Sequence, residues 1–250
     1  MELAVHTILI VVQLIALHLL SRHLNRTLFS RFGTVVYLLV SLPGTIIHEL
    51  SHYVGCLLTW TRVREVRLFS PQREGEQIVL GYVRHDKPKN PLSSFVIGTA
   101  PFFGGATALW FAAVFLVPGA IDAMRVSLAH GGVLSVAGSY FTFVVEMLKS
   151  IAVWDWRAFV MLYLLISVPT HLAPSTTDLK NAAWGTVLVA VIIGLAAAGS
   201  AIFGWDASGL IFDSLESGLA LLVGLLTFAL LCCIVVTSAV TVISRLIHLR

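Results

Sequence analysis

Residues Phe32–Trp60 read FGTVVYLLVSLPGTIIHELSHYVGCLLTW, an apolar run that carries two histidines and a glutamate in its second half. A helix needs about 20 apolar residues to cross the hydrocarbon core of a bilayer, and this run is long enough. The rest of the chain has the same character. Of its 250 residues, 58% are hydrophobic and 12% are charged, and the mean hydropathy is +0.92. A water-soluble globule with this composition would have too few polar side chains to cover its surface. The sequence therefore predicts an integral membrane protein.

Six apolar runs predict an all-α polytopic fold with about six transmembrane helices. The runs are Leu3–Leu20, Phe32–Trp60, Phe95–Val117, Phe159–Leu172, Ala182–Phe203 and Leu219–Ile243. The fourth is short and needs flanking residues from Val153 onward to reach full thickness. The segment Val126–Leu148 is apolar but contains three close glycines and Glu146, which favours a re-entrant or interfacial piece. Because no linker or repeat divides the chain, we expect one domain over residues 1–250, with its core at about 33–181.

The loop Thr61–Pro91, between the second and third runs, differs in composition and residue pattern from the rest of the chain. Its β-rich stretches Val63–Phe69 and Ile78–Val83 flank the polar, turn-like segment Pro71–Glu76. Two such stretches around a turn that contains proline and glycine are typical of a hairpin. The sequence predicts a small β-hairpin insertion at about residues 61–91.

Basic residues orient the predicted spans. The loop Thr61–Pro91 contains seven, namely Arg62, Arg64, Arg67, Arg73, Arg84, Lys87 and Lys89. The positive-inside rule places this loop in the cytoplasm, and with six spans both termini are cytoplasmic as well. The predicted location is multi-pass, in the plasma (inner) membrane of a prokaryote. The net charge of +3 is small and is spread over loops that flank the lipid bilayer, so no nucleic-acid partner is indicated.

The second run contains the candidate metal-binding and catalytic motif His48-Glu49-Leu50-Ser51-His52. Residues four apart on a helix share a face, so His48 and His52 can present two imidazoles to one metal ion. Zinc accepts imidazole and carboxylate ligands and keeps one position open for water in catalytic sites. Glu49 is placed to take a proton from that water. A buried polar cluster or a proton path is the alternative reading of these ionisable residues.

A third ligand must lie at the same depth in the membrane as His48 and His52. Asp178 follows the fourth span, which like the second runs from outside to inside, and Pro174 would break the helix just before it. The alternative reading of Asp178 is a first-turn acid at the start of the fifth helix. Glu146 is the competing carboxylate, but its stretch is expected toward the outer side. The sequence favours Asp178.

In the order and spacing of its motifs, the segment Gly33–Asn181 resembles the site-2 protease family of intramembrane zinc metalloproteases. The histidine motif lies in a span and is followed by a basic, β-rich segment. The stretch Asn90–Ala106 then leads into a third span, where Ala100-Pro101 and Gly104-Gly105 stand in for the alanine-glycine-proline and asparagine that are usual in the family. A proline, Pro174, precedes the aspartate Asp178.

The third motif departs from the family pattern, which reads asparagine, two residues, proline, then leucine-aspartate-glycine. Here His171 stands where the asparagine is expected, Thr177 precedes Asp178, and Leu179 follows it in place of glycine. The gap from Pro174 to the aspartate is also one residue shorter. No PDZ-like insertion interrupts the chain.

The resemblance implies a zinc ion held by His48, His52 and Asp178, with Glu49 as the general base. It also implies that His171 takes over the polarisation of the scissile carbonyl. A helix-end histidine that faces the last carbonyls is the other reading of His171.

The predicted function is that of an intramembrane zinc endopeptidase that cleaves a membrane protein or peptide near the cytoplasmic end of a transmembrane segment. Zinc is the expected cofactor. Two alternatives belong to other classes of protein. One is a catalytically inactive relative that binds membrane helices as a partner, which the altered third motif allows. The other is an ion- or proton-coupled transporter, in which paired broken helices in two repeated halves would be expected.

Overall fold

The computed structural model of the chain describes residues 2–74, 77–117, 145, 149, 154–172, 176–203 and 207–248. This part is mostly helical and carries a small sheet after the second helix, as predicted. Its helices are α1 (Glu2–Thr27), α2 (Gly33–Leu58), α3 (Pro91–Leu116), α4 (Trp156–Leu172), α5 (Thr176–Phe203) and α6 (Ala207–His248). A π-helical turn, Leu28–Phe32, joins the first two. Pro174 and the predicted re-entrant segment Val126–Leu148, apart from Val145, lie outside the described residues.

Within the described residues, three stretches are long and apolar enough to cross a membrane. They are Leu9–Leu58, Pro91–Leu116 and Ala229–Leu246, and α4 is a shorter apolar helix. The first stretch is not one straight helix, which would measure about 75 Å against a hydrocarbon thickness of about 30 Å. Gly33 interrupts it with φ +83° and ψ 173°, a conformation open essentially to glycine alone. The interruption separates α1 from α2.

The interior of the bundle is apolar and is built by α1, α3, α4 and α6. Its buried side chains include Leu17, Phe102, Leu109, Met161, Leu165, Leu226 and Cys233. α2 packs against both α3 and α4, while α5 packs against α3. The outward surface is also apolar, since Val35, Leu58 and Phe115 are each at least 70% exposed. Helices that are apolar on both their inner and outer sides suit a lipid environment rather than water.

The segment after α2 forms one long, bent hairpin. β1 (Val63–Arg67) pairs antiparallel with β4 (Tyr82–His85), and β2 (Gln72–Glu74) pairs with β3 (Gln77–Val79). The N–H of Ser70 donates to the carbonyl of Leu80 (2.6 Å) and continues the ladder between the two paired regions. The predicted insertion is thus confirmed as a small sheet.

The ends of the helices are fixed by local hydrogen bonds. α3 begins after Asn90, whose side-chain oxygen accepts from the N–H of Ser93 (2.7 Å), with Pro91 in the first turn. Both features are typical of a helix start. At the end of α2, the N–H of Thr61 donates to the carbonyl of Cys56 (2.9 Å) while Trp60 adopts a left-handed φ of +54°. The chain therefore leaves α2 sharply and enters the hairpin.

Candidate metal centre

Two helices bring three potential metal ligands together. His48 and His52 lie one turn apart on α2, and Asp178 lies in the first turn of α5. The Nε2 atom of His52 is 3.4 Å from one carboxylate oxygen of Asp178, and that of His48 is 3.9 Å from the other. One ligand atom from each residue lies within 4.8 Å of the other two. Among the residues that the structure describes, this is the group of histidine, cysteine and acidic side chains that could hold a metal ion.

The outer nitrogen of each histidine ring is held by a backbone carbonyl. His48 Nδ1 lies 2.7 Å from the carbonyl oxygen of His171, and His52 Nδ1 lies 2.9 Å from that of Ile97. A carbonyl can only accept, so both Nδ1 atoms carry the proton and donate. In the neutral form of each ring, Nε2 then presents a lone pair toward Asp178. Histidine ligands of metals are oriented in this way, because the bond at the outer nitrogen fixes the tautomer and the ring.

The two separations from Asp178 are compatible with a tetrahedral metal ion such as zinc. Ligands at about 2.0–2.2 Å from a tetrahedral ion are about 3.3–3.6 Å from one another. The His52–Asp178 separation of 3.4 Å falls in that range, and the His48–Asp178 separation of 3.9 Å exceeds it by a few tenths of an ångström. Two imidazoles and one carboxylate also leave a fourth position open for water.

Two glycines allow the helices to approach closely enough to form this group. A Cβ atom on Gly98 of α3 would lie 2.7 Å from the carbonyl oxygen of Asp178 and 3.1 Å from Cβ of Ala182. A Cβ atom on Gly44 of α2 would collide with the carbonyl oxygen of Ser167 in α4. The missing side chains let α5 deliver its aspartate to α2, and let the end of α4 deliver its carbonyl to His48.

Glu49 lies beside the ligands and beneath the hairpin. Its side chain is buried and interacts electrostatically with His52 and Asp178. A Cβ atom on Gly81 would lie 2.9 Å from Cγ of Glu49, and 2.7 Å from the backbone oxygen of Arg67. The junction between the two paired regions of the hairpin therefore covers the glutamate.

His171 contributes its backbone to the site. Its ring Nδ1 lies 2.6 Å from the hydroxyl of Thr170 and 3.3 Å from the carbonyl of Ser167. Because that hydroxyl already donates to the Ser167 carbonyl (2.6 Å), the ring must donate to the hydroxyl. This is the arrangement of a helix-end histidine that faces the last carbonyls. The expected role of its side chain, polarising a scissile carbonyl, stays a prediction.

Sequence reasoning did not identify the groups that surround the ligands. The carbonyls of Ile97 and His171, and the glycines at 81 and 98, carry no side-chain signal that would connect them to a metal site. The end of α4 offers one clue, because the last four carbonyls of a helix have no intrahelical partner. Glu146, the competing ligand, lies outside the described residues.

Comparison with known proteins gives no further guide to this site. No family model matches the chain, and neither the curated proteins nor the solved structures contain a significant match.

Proposed function

We propose that this protein is an intramembrane zinc endopeptidase that cleaves a transmembrane segment near its cytoplasmic end. The observation that carries the proposal is the convergence of two imidazole Nε2 atoms and a carboxylate on one point inside the bundle. Three acceptors in a buried place repel one another unless a metal ion or protons lie between them. A divalent metal ion satisfies all three at once.

The chemistry follows from the residues that line this point. His48, His52 and Asp178 would hold zinc. When bound there, zinc supplies Lewis acidity, which lowers the pKa of a bound water toward about 7 and polarises a carbonyl group. Glu49 accepts a proton from the attacking water and returns it to the leaving amine. The hairpin above Glu49 excludes bulk water from the exchange.

A transmembrane substrate must unwind before it can be cut, because the carbonyls of a helix are engaged in its own hydrogen bonds. Within the described residues, each strand of the two two-stranded sheets has one edge without a partner strand, to which an extended segment can be added. The hairpin touches α2 at both β1 and β4, so such a segment would pass close to Glu49. Substrate binding is therefore assigned to the hairpin.

Six membrane crossings, one for each of α1 to α6, complete the proposal. The six helices follow the six apolar runs of the sequence, and the basic hairpin marks the cytoplasmic side. α2 then runs inward and ends at the cytoplasmic face, with the metal group in its later half. α5 starts from the same face and places Asp178 at the matching depth.

Metal analysis and cleavage assays on the purified protein test the proposal together. We expect about one zinc ion per chain, lost in His48→Ala and His52→Ala but kept in His23→Ala, a control at an exposed histidine of α1. Glu49→Gln should keep zinc and lower the cleavage of single-span membrane substrates by several orders of magnitude, because an amide cannot accept the proton.

The two alternatives give different results in the same experiment. A catalytically inactive relative would bind zinc and cleave nothing, with no difference between the parent protein and Glu49→Gln. A proton-coupled transporter would bind no zinc, because protons on the rings would then replace the metal between the three acceptors. Cleavage at the parental rate by Glu49→Gln would show that this residue is not the base.

A further inference from the structure

The carbonyl that holds His52 comes from the middle of a helix. Ile97 is the seventh residue of α3, yet its carbonyl oxygen accepts from Nδ1 of His52 on α2 at 2.9 Å. In a regular α-helix, this oxygen accepts from the N–H four residues later and points along the helix axis. The residue four positions later is Pro101, which has no N–H. The proline ring also crowds the carbonyl of the fourth residue before it, and so turns that carbonyl away from the axis.

A second proline in the bundle has the same effect at a site without ligands. Pro43 lies inside α2, and the carbonyl four residues earlier belongs to Leu39. That oxygen accepts from the hydroxyl of Tyr163 on α4 at 2.6 Å. In both helices, a carbonyl that a proline leaves without its helical donor is bonded by a side chain of another helix.

We propose that Pro101 is a positioning residue of the metal centre, which releases the Ile97 carbonyl so that it can fix the tautomer and orientation of His52. This inference rests on the proposed zinc site. It assigns the proline a chemical role, beyond bending α3, that acts through His52 alone.

The tautomer of His52 determines whether it can bind metal. A neutral imidazole carries its proton on one nitrogen only, and the protonated nitrogen cannot be a ligand. With the Ile97 carbonyl as acceptor, the proton is held on Nδ1 and the lone pair of Nε2 faces Asp178, 3.4 Å away. Without that acceptor, Asp178 would draw the proton to Nε2 and block the ligand position.

The position of Pro101 supports a role directed at α2. The side chain of Pro101 is fully buried. The backbone of α3 just before it lies against α2, because a Cβ atom on Gly55 of α2 would be 3.2 Å from Cα of Ile97. Gly55 follows His52 by three residues, so it shares the face of α2 that carries the ligand. Direct contact between α2 and α3 thus fixes the distance between the Ile97 carbonyl and the His52 ring.

The test is the zinc affinity of Pro101→Ala, with Pro43→Ala as the matched control. Alanine at 101 restores the N–H, which returns the Ile97 carbonyl to the helix and competes with His52. Loss of an outer hydrogen bond of this kind typically weakens metal binding by about 10- to 100-fold. We expect that loss in Pro101→Ala, measured by competition with a chromophoric chelator, and a change of less than about twofold in Pro43→Ala. Equal affinity in Pro101→Ala and the parent protein would overturn the inference.

A second measurement applies to the unmodified sequence and does not depend on the variant folding. In zinc-loaded protein labelled with ¹⁵N-histidine, the His52 signal, identified by its absence in His52→Ala, should report a proton on Nδ1. An Nε2–H signal, or an even mixture of the two, would overturn the inference. The proposed function fails separately, since its failure would appear as an absence of zinc binding in the parent protein.

Discussion

Replacing Gly98 by alanine tests whether α3 sets the distance between α5 and the histidines. The added Cβ atom would lie 2.7 Å from the backbone oxygen of Asp178, where ordinary contact begins at 3.4 Å. The start of α5 must therefore retreat by about 0.7 Å, whereas metal–ligand distances tolerate about 0.2 Å. The neighbour is backbone, so no side-chain rotation can absorb the displacement. We expect zinc binding to weaken by at least about tenfold.

The expected loss of zinc affinity in Gly98→Ala is opposite in direction to the effect of alanine on helix stability. Alanine is favoured over glycine in a helix interior by about 1 kcal/mol, so propensity alone would stabilise the variant. Gly105→Ala is the matched control, on the same face of α3 two turns later. Its Cβ atom would meet side-chain rather than backbone atoms, namely Cδ2 and Cγ of Leu172 at 2.9 and 3.0 Å.

The assay is zinc affinity by chelator competition, measured on both glycine variants in the same detergent. Gly105→Ala should bind zinc within about twofold of the parent protein. Parental affinity in Gly98→Ala would show that the position of Asp178 does not determine metal binding. Equal losses in both variants would instead point to a general disturbance of α3.

Three further predictions concern the third ligand, the substrate and the hairpin. Asp178→Ala should lose zinc while Glu146→Ala keeps it, measured by elemental analysis of both; the reverse result would make the glutamate the ligand. Val66→Pro should lower kcat/KM for cleavage but leave one zinc per chain, because it removes an N–H from β1; unchanged kinetics would show that the hairpin does not bind the substrate. The Tyr82 hydroxyl (2.9 Å) and a neighbouring arginine hold the pKa of Glu65 below its ordinary value of 4.5. The stabilisation by the Glu65 carboxylate is present above pH 4.5 and is lost as the pH falls through the folded-state pKa of Glu65. Amide-exchange protection of the hairpin should therefore decline over that pH range. It should stay constant over the same range in Glu65→Gln, which has no carboxylate to protonate.

The sequence alone was sufficient for the features that depend on local pattern. Composition and run length indicate a mostly helical membrane protein, because lipid requires long apolar helices whose backbone bonds are satisfied internally. The β-rich stretches Val63–Phe69 and Ile78–Val83, on either side of a turn-like segment, indicate the hairpin, because strands and turns have short-range sequence signals. The four-residue spacing of His48 and His52 fixes their common face, because helical periodicity is a property of the chain itself. The inward direction of the fourth span predicts Asp178 as the third ligand, and the structure brings it to the two histidines.

Tertiary structure decided which groups surround the ligands. His48 is bonded to a carbonyl 123 residues away in the chain, and His52 to one 45 residues away. Every residue except proline offers a similar backbone N–H and carbonyl, so no residue type marks the carbonyl that another helix will use. For this reason the motif position of His171 predicts a role for its imidazole, whereas the structure connects it to His48 through its backbone oxygen. The close approach at Gly98 and the cover that Gly81 forms over Glu49 likewise depend on how helices and hairpin pack, because a glycine acquires this role only when another backbone lies against it.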